Sequence, residues 1–406
     1  MKKQKPELLV GVGSFTNAIA AVKNGANAVY FGVKGYNMRD LGTNFKTSEL
    51  KKLMHYLHKN KVRGYLALNT VIFEDEFKGV EKLLGAAKKA NVDAVIASDL
   101  GVISLVKKHK LRLHVSTQAS VANSVALEQY KNLGAKRIVL ARELSLGQIS
   151  KISKTAKKID VEIECFVHGA MCIAISGRCW LSHDLFGMSA NRGKCLQVCR
   201  RAYFLDGHAP DFEKKEVHLQ GDTIFSAKDM KTIEVLDKII DSGVASLKIE
   251  GRTKPATYVA NVTKCYREAI DSFFDKTFSK SKIIGWNKSL EEVYNRGFST
   301  GFFLKTPNKR DLAKGQQSKQ TTKKTEIGVV KKYYSKAGVC EVRLSKDISI
   351  GDKLVFEGKT TYFEQTLESM QINHKDFTQV KAGRLVGLKV NERVRENDFV
   401  FVVSEK

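Results

Sequence analysis

The stretch SGVASLKIEGR (242–252) reads as a turn, a short buried strand and a polar strand end. The same grammar recurs in NGANAVYFG (24–32), NVDAVIAS (91–98) and LGAKRIVLARE (133–143). In each, a helical stretch closes on a small or turn residue and an apolar run of strand length follows. The preceding helices carry amphipathic spacing. Leu50, Leu53, Met54 and Leu57 share one face, as do Val80, Leu83, Leu84 and Ala87. Such alternation implies parallel strands joined by crossover helices.

Working outward, strands of this kind fall near 7–13, 27–32, 62–69, 92–98, 111–117, 135–141, 161–167 and 245–250. Eight βα units predict an α/β fold, a closed TIM-like (β/α)8 barrel; an open doubly wound sheet is the alternative. The strand ends favour the barrel. Ser14, Asn37, Arg39, Asn69, Asp99, Thr117, Gln118, Arg142, Glu143, His168, Glu250 and Arg252 lie just past them. Barrel enzymes build sites from many strand ends, whereas open sheets concentrate them at one switch point.

The barrel is expected over 1–286, with a cysteine-rich insertion at 168–226. A connecting segment and basic linker follow over 287–326, and a small all-β barrel over 327–406. Lys305, Lys309, Arg310, Lys314, Lys319, Lys323 and Lys324 face only Asp311 over 305–325. That composition suits a linker or an arm contacting phosphates. The short runs IGVVKKYY, GVCEVRLS, GDKLVFEG, RLVGLKV and DFVFVV read as barrel strands.

The chain has 406 residues, with 69 Lys+Arg against 43 Asp+Glu and a net charge of +26. That excess favours an anionic partner, nucleic acid first. No apolar run reaches the ~20 residues of a membrane helix, so no membrane partner is expected. The opening MKKQKPELLVGVGSF reads as a first buried strand rather than an export signal. A cytoplasmic location follows as the default. Seven cysteines in that reducing setting argue for metal or redox chemistry over disulfides. Oligomeric state is not encoded in any pattern found.

Four cysteines sit in ECFVHGAMCIAISGRCWLSHDLFGMSANRGKCLQVCRRAYF (164–204), spaced C-x6-C-x15-C-x3-C: Cys172, Cys179, Cys195 and Cys199. Four thiolates hold either zinc or an iron–sulfur cluster, and spacing leaves both open. Ala170, Met171, Ile173, Ala174, Ile175, Trp180, Leu181 and Leu196 are candidate shielding, and Arg178, Arg192, Lys194, Arg200 and Arg201 candidate charge partners for an anionic cluster. Cys165, Cys265 and Cys340 read as packing residues.

ECFVHGAMC, SGRCWLS and NRGKCLQVCR together closely resemble the signature of the collagenase-like peptidases, the unassigned peptidase family thirty-two. YFG with NMR (30–32, 37–39), STQASVAN (116–123), ARELS (141–145), KIEGR (248–252) and NRGFSTG (295–301) extend the resemblance over nearly the whole chain. The C-terminal domain resembles the extra domain of the tRNA-modifying subgroup and the second domain of elongation factor Tu. The resemblance implies oxygen-independent hydroxylation: of a wobble uridine of tRNA to 5-hydroxyuridine, with prephenate as hydroxyl donor, in the branch this chain matches by length. Other branches act on ribosomal RNA or quinone precursors. It also implies a [4Fe–4S] cluster on Cys172, Cys179, Cys195 and Cys199. The alternatives are a peptidase or a zinc-stabilised RNA-binding module. No H-E-x-x-H or G-x-S-x-G motif supports peptidase chemistry; a Cys172–His168 pair is the remaining route to it.

Prephenate is a dicarboxylate, and Arg presents a planar fork to carboxylates. Arg39, Arg142 and Arg252 are therefore expected to clamp it, with Asn69 and Gln118 as further substrate contacts. His168, Glu164, Arg142 and Glu250 are the candidates for the chemistry. Glu164, inside a strand, needs a cationic partner. Tyr36, Tyr203, Phe298 and Phe302 are candidates to stack a base or to fill the core.

Overall fold

A computed structural model describes residues 4–207, 217–221, 225–315 and 317–406. The insertion residues 208–216 and 222–224 lie outside the described residues. Eight parallel strands form the barrel: β1 Glu7–Gly11, β2 Ala28–Gly32, β3 Arg63–Leu68, β4 Ala94–Ala97, β5 Leu113–Val115, β6 Ala135–Val139, β7 Glu162–Gly169 and β8 Ser246–Ile249. Each pairs with the next, and β8 closes the ring by pairing with both β7 and β1. All eight expected strands are present.

The helices are α1 Phe15–Lys23, α2 Leu50–Lys59, α3 Phe77–Lys89, α4 Leu100–Lys108, α5 Ser124–Asn132, α6 Leu146–Lys158, α7 Leu236–Asp241 and α8 Ala256–Phe274. Leu8, Val10, Val29 and Phe31 point outward and bury the apolar faces of these helices. Ser14, Asp99, Asn123 and Ser145 cap α1, α4, α5 and α6 by accepting a backbone N–H. Ser14 and Asp99, polar residues of the strand-end set, are thus helix caps first. Lysines close the last turns of α1 to α6, complementing the helix dipole. They make the far face of the barrel basic. A cleft of about 640 Å³ opens there beside Lys51, His55, His58, Lys59 and Lys89, remote from the strand ends that carry the site.

The inward-facing positions are unusually polar. Glu164, fully buried, meets Lys248 Nζ at 2.8 Å and Arg137 Nη1 at 3.2 Å. Arg137 also binds Glu7 and reaches Glu162 at 2.7 Å. Tyr65 donates to Glu7 at 2.9 Å, and His114 packs edge-on against the Tyr65 ring.

Between β7 and α7 the chain adds Asp229–Lys231, antiparallel to the end of β7, with Phe298–Ser299 alongside it. The helix Lys280–Glu292 runs across the boundary expected at 286/287. The basic segment lies against the barrel: Lys228 N donates to Asp311 O at 2.9 Å and Ala313 N to Ser226 O at 2.6 Å. Lys309, Arg310, Lys314, Lys319 and Lys323 remain exposed on it.

The C-terminal domain opens with a strand from Thr322, and all five predicted strand runs are found. Its eight-stranded antiparallel sheet curls so that residues of both ends, Phe363 and Met370 among them, share one core. It docks on α1: Thr16 Oγ1 donates to Gly358 O at 2.6 Å and Lys23 Nζ to Tyr362 O at 2.7 Å. Val355 and Tyr362 join the barrel's outer core. No described helix is long and apolar enough to cross a membrane.

Candidate functional site

The C-terminal ends of β2, β6 and β8 bring three arginines around one carboxylate. Glu250 follows Ser246 and Lys248 on the inward side of β8. It accepts from Tyr30 Oη at 3.1 Å, Arg39 Nη2 at 3.4 Å and the Arg252 backbone N–H at 3.2 Å. Burial raises its pKa, but Arg39, Arg252 and Arg142 outweigh burial and leave it lowered. Glu250 is therefore a carboxylate at neutral pH. Tyr30, desolvated and beside Glu250, is pushed well above 10 and stays a phenol.

Arg252 Nη2 donates to Asn37 and Asn44 Oδ1, both at 2.6 Å, and burial brings its pKa down to about 10. Gly32 is required beneath it, because a Cβ there would overlap the guanidinium and Asn37. Arg142 Nη1 donates to Ala170 O at 2.9 Å and its guanidinium lies 4.0 Å from the Phe166 ring centroid. The Nε atoms of Arg142 and Arg252 are buried without a partner among the described residues. Arg39, Arg142 and Arg252 against Glu250 leave an excess of two positive charges. Lys254, largely desolvated and brought down to about 8, adds to it at the edge.

The thiol segment covers this rim. Cys172 and Cys195 are exposed, Cys179 and Cys199 intermediate, and all four are free. Burial raises the Cys199 thiol, Arg200 lowers it, and Cys172, Cys195 and Cys179 raise it further, so the four sulfurs are electrostatic neighbours. Cys172 and Cys195 in turn raise Arg39, after the larger effect of Glu250. Gln197 N–H points at Cys195 Sγ, 3.4 Å away. Among the described residues no three His, Cys, Asp or Glu are grouped tightly enough for a single ion. Four thiols can hold either a zinc ion or an iron–sulfur cluster.

The arginines of the segment serve mainly as tethers. Arg192 forms a two-pronged pair with Glu76 at 2.6 and 2.5 Å. Arg200 donates to the carbonyls of Met171 and Ala227 at 2.5 and 2.6 Å, and Arg178 to that of Gln118 at 2.7 Å. Arg201 covers the Phe186 ring. The expected shield is open: Ile173, Ile175, Trp180 and Leu196 are exposed, Trp180 at 69%.

Asn69 and Gln118 line a second rim feature, a pocket of about 200 Å³ with Met38, Thr70, Val71, Ser98, Asp99, Arg178 and Asn191. Asn69 Nδ2 donates to Ser116 Oγ at 3.1 Å and its Oδ1 accepts from Met38 N at 3.3 Å.

Two candidates for the chemistry lie elsewhere. Glu164 is a layer deeper, in the ion network with Lys248 and Arg137. Strict alternation from Glu164 and Phe166 would aim His168 inward. A bulge intervenes: Lys248 pairs with Phe166 but Ile249 with His168. His168 therefore faces α8, 3.4 Å from Tyr266 Oη and against the rings of Tyr258 and Phe298. It lies within β7 rather than past its end, and burial takes its pKa down to about 3. The Cys172–His168 pair that a peptidase reading needs is not what this ring engages. Tyr36, Phe298 and Phe302 pack against the core, and Tyr203 Oη donates to Val198 O at 2.8 Å. Asn37, expected on the rim, holds Arg252, whereas Tyr30, Asn44 and Lys254 carry no signal that the sequence reading used. Tyr30 and Glu250 share the inward parity of their strands, a signal the sequence did carry.

The sequence profile of Peptidase family U32 matches residues 13–313. A Methanocaldococcus jannaschii protein named an uncharacterized protease is 44% identical over 406 residues, covering 98% of each chain. A Porphyromonas gingivalis protein named collagenase is 36% identical, covering 97% of each. A Bacillus subtilis protein named tRNA hydroxylation protein P1 is 34% identical, covering 96% of this chain and 93% of that one.

Proposed function

We propose, for a chain that belongs to Peptidase family U32, that it is an RNA hydroxylase forming 5-hydroxyuridine at the wobble position of tRNA. Its cofactor in this reading is a [4Fe–4S] cluster on Cys172, Cys179, Cys195 and Cys199, and its hydroxyl donor is prephenate. The carrying observation is the rim cage: three arginines around Glu250, with two buried guanidinium Nε atoms that have no partner among the described residues. Leaving such donors unmet costs about 1–3 kcal/mol each. A dicarboxylate entering the cage supplies both the missing acceptors and the missing negative charge.

In this reading Arg39, Arg142 and Arg252 bind and orient the carboxylates. Glu250, held ionised, accepts a proton from the substrate side, and Tyr30, held neutral, passes its own hydrogen bond to that carboxylate. Bound beside the cage, the cluster would supply redox or Lewis-acid chemistry. The exposed lysines of 305–323 and the net charge of +26 suit a phosphate backbone. The likeness to the Bacillus protein spans both domains, which favours tRNA over other RNAs.

The test is expression in a bacterium stripped of its own tRNA hydroxylation genes, with nucleoside mass spectrometry of its tRNA. Wild-type chain restores 5-hydroxyuridine and Arg142→Ala does not. Absence of the nucleoside with folded wild-type chain rejects the reading.

A further inference from the structure

Resting on the RNA reading above, we propose that the pocket between the ends of β3, β4 and β5 receives a single pyrimidine base turned out of its strand. Its volume, about 200 Å³, equals about six or seven liquid waters. That admits one pyrimidine ring and excludes a stacked pair.

The lining has the character of a base reader. Met38 and Val71 offer apolar walls, and Val71 is 49% exposed at the mouth. Gln118 and Asn191 present carboxamides, each with a donor and an acceptor side by side, the complement of a pyrimidine's hydrogen-bonding edge. Neither carboxamide has a hydrogen bond of its own among the described residues; Gln118 is engaged through its backbone carbonyl, by Arg178. Thr70, 1% exposed, backs the pocket, and its hydroxyl has no partner among the described residues.

The wall is rigid and close to the thiols. Asn69 is fixed between Met38 and Ser116, and Asp99 is held by capping α4 at 3.0 Å from Val102 N. Gly177, in the thiol segment, lies against Met38 and Gln118; a Cβ there would sit 3.4 and 3.6 Å from them. Arg178, on the pocket rim, immediately precedes Cys179. A base seated here presents its ring to the thiol side, while flanking phosphates stay outside on the basic surface.

The test uses the anaerobically purified full chain and RNA stem-loops carrying uridine or cytidine at the target position. Gln118→Glu replaces a donor–acceptor pair with an acceptor, so hydroxylation of uridine falls about ten- to hundredfold and that of cytidine falls less. RNA affinity stays within about threefold, because phosphate contacts carry it. Val71→Trp fills the mouth from an exposed position and abolishes the reaction with the fold intact. Saturation-transfer NMR with free uridine gives an arm independent of catalysis: wild type shows the effect and Val71→Trp does not. Uridine binding lost in Val71→Trp supports the pocket even if wild type modifies no RNA, an outcome that rejects the function alone. Wild-type rates in both variants, on a chain that does modify RNA, overturn the pocket and leave the function standing.

Discussion

Replacing Glu164 with Gln separates a structural carboxylate from a catalytic one. Glu164 is fully buried and holds Lys248 at 2.8 Å and Arg137 at 3.2 Å. The substitution is nearly isosteric, so the loss is electrostatic. Arg137 keeps Glu7 and Glu162. Lys248, 3% exposed, loses its carboxylate and keeps only the faces of Tyr30 and Phe166, at 4.3 and 5.3 Å. Breaking a buried pair by removing one partner costs about 3–5 kcal/mol. The retained partners and the ring faces, each contributing about 0.5–2 kcal/mol, place this case near the lower end. At about 2.1 cal/mol/K per residue, a barrel of roughly 300 residues shifts by about 1.6 °C per kcal/mol, so the melting temperature should fall by about 5 °C. Glu164→Gln/Lys248→Met removes both charges and should recover most of that loss. Calorimetry and urea titration give the stability, and RNA hydroxylation per folded molecule should stay within twofold. A Glu164→Gln protein of unchanged stability and lost turnover would refute this reasoning and return Glu164 to the chemistry.

His168, brought down to about 3 by burial, binds no proton in the folded state until far below the ~6.5 of the unfolded chain. Its contribution is present above pH 6.5 and is lost as pH falls, at about 1.4 kcal/mol per unit. His168→Gln should flatten that limb in pH-dependent urea unfolding and leave turnover intact. Lys254, down to about 8 from an ordinary 10.5, acts with the unfolded chain binding more protons between those values, so stability rises across that window. Affinity for a dicarboxylate falls as the folded ammonium is lost around pH 8; titration calorimetry at pH 7 and 9 should show that fall, and urea unfolding between pH 8 and 10 the rise in stability, both flattened in Lys254→Met. Cys199→Ser should lower iron and acid-labile sulfide together in anaerobically purified protein, whereas Cys265→Ser, buried on α8 in the core, should leave both unchanged.

The barrel was legible because each strand announces itself twice, by a turn residue before it and an apolar run within it. Val92–Ala97 and Val244–Ile249 are such cases. The rim residues were legible as a set, since they follow strand ends. Their division of labour was not. Ser14 and Asp99 became caps because helices begin where strands end. Arg178, Arg192 and Arg200 became tethers, adding to the backbone bonds from Asp40 N–H to Gly193 O and from Val71 N–H to Asn191 O that hold the thiol segment on the rim loops. Asn37 and Asn44 meet Arg252 from more than 200 positions away, a pairing that no local pattern encodes. His168 was expected past the end of β7, but the strand runs on to Gly169 and a bulge in its pairing with β8 accompanies the turn of the ring toward α8, neither of which composition shows.

If the arginine cage beside the four thiols carries the proposed hydroxylation of tRNA, product formation depends on that cage. The direct measurement incubates anaerobically purified chain with unmodified tRNA and prephenate, and quantifies 5-hydroxyuridine by mass spectrometry alongside iron and sulfide. Product should require prephenate and vanish in Arg142→Ala, a variant retaining its iron and sulfide. Product formed equally by Arg142→Ala, or none from wild-type chain carrying full iron and sulfide, would contradict the proposal.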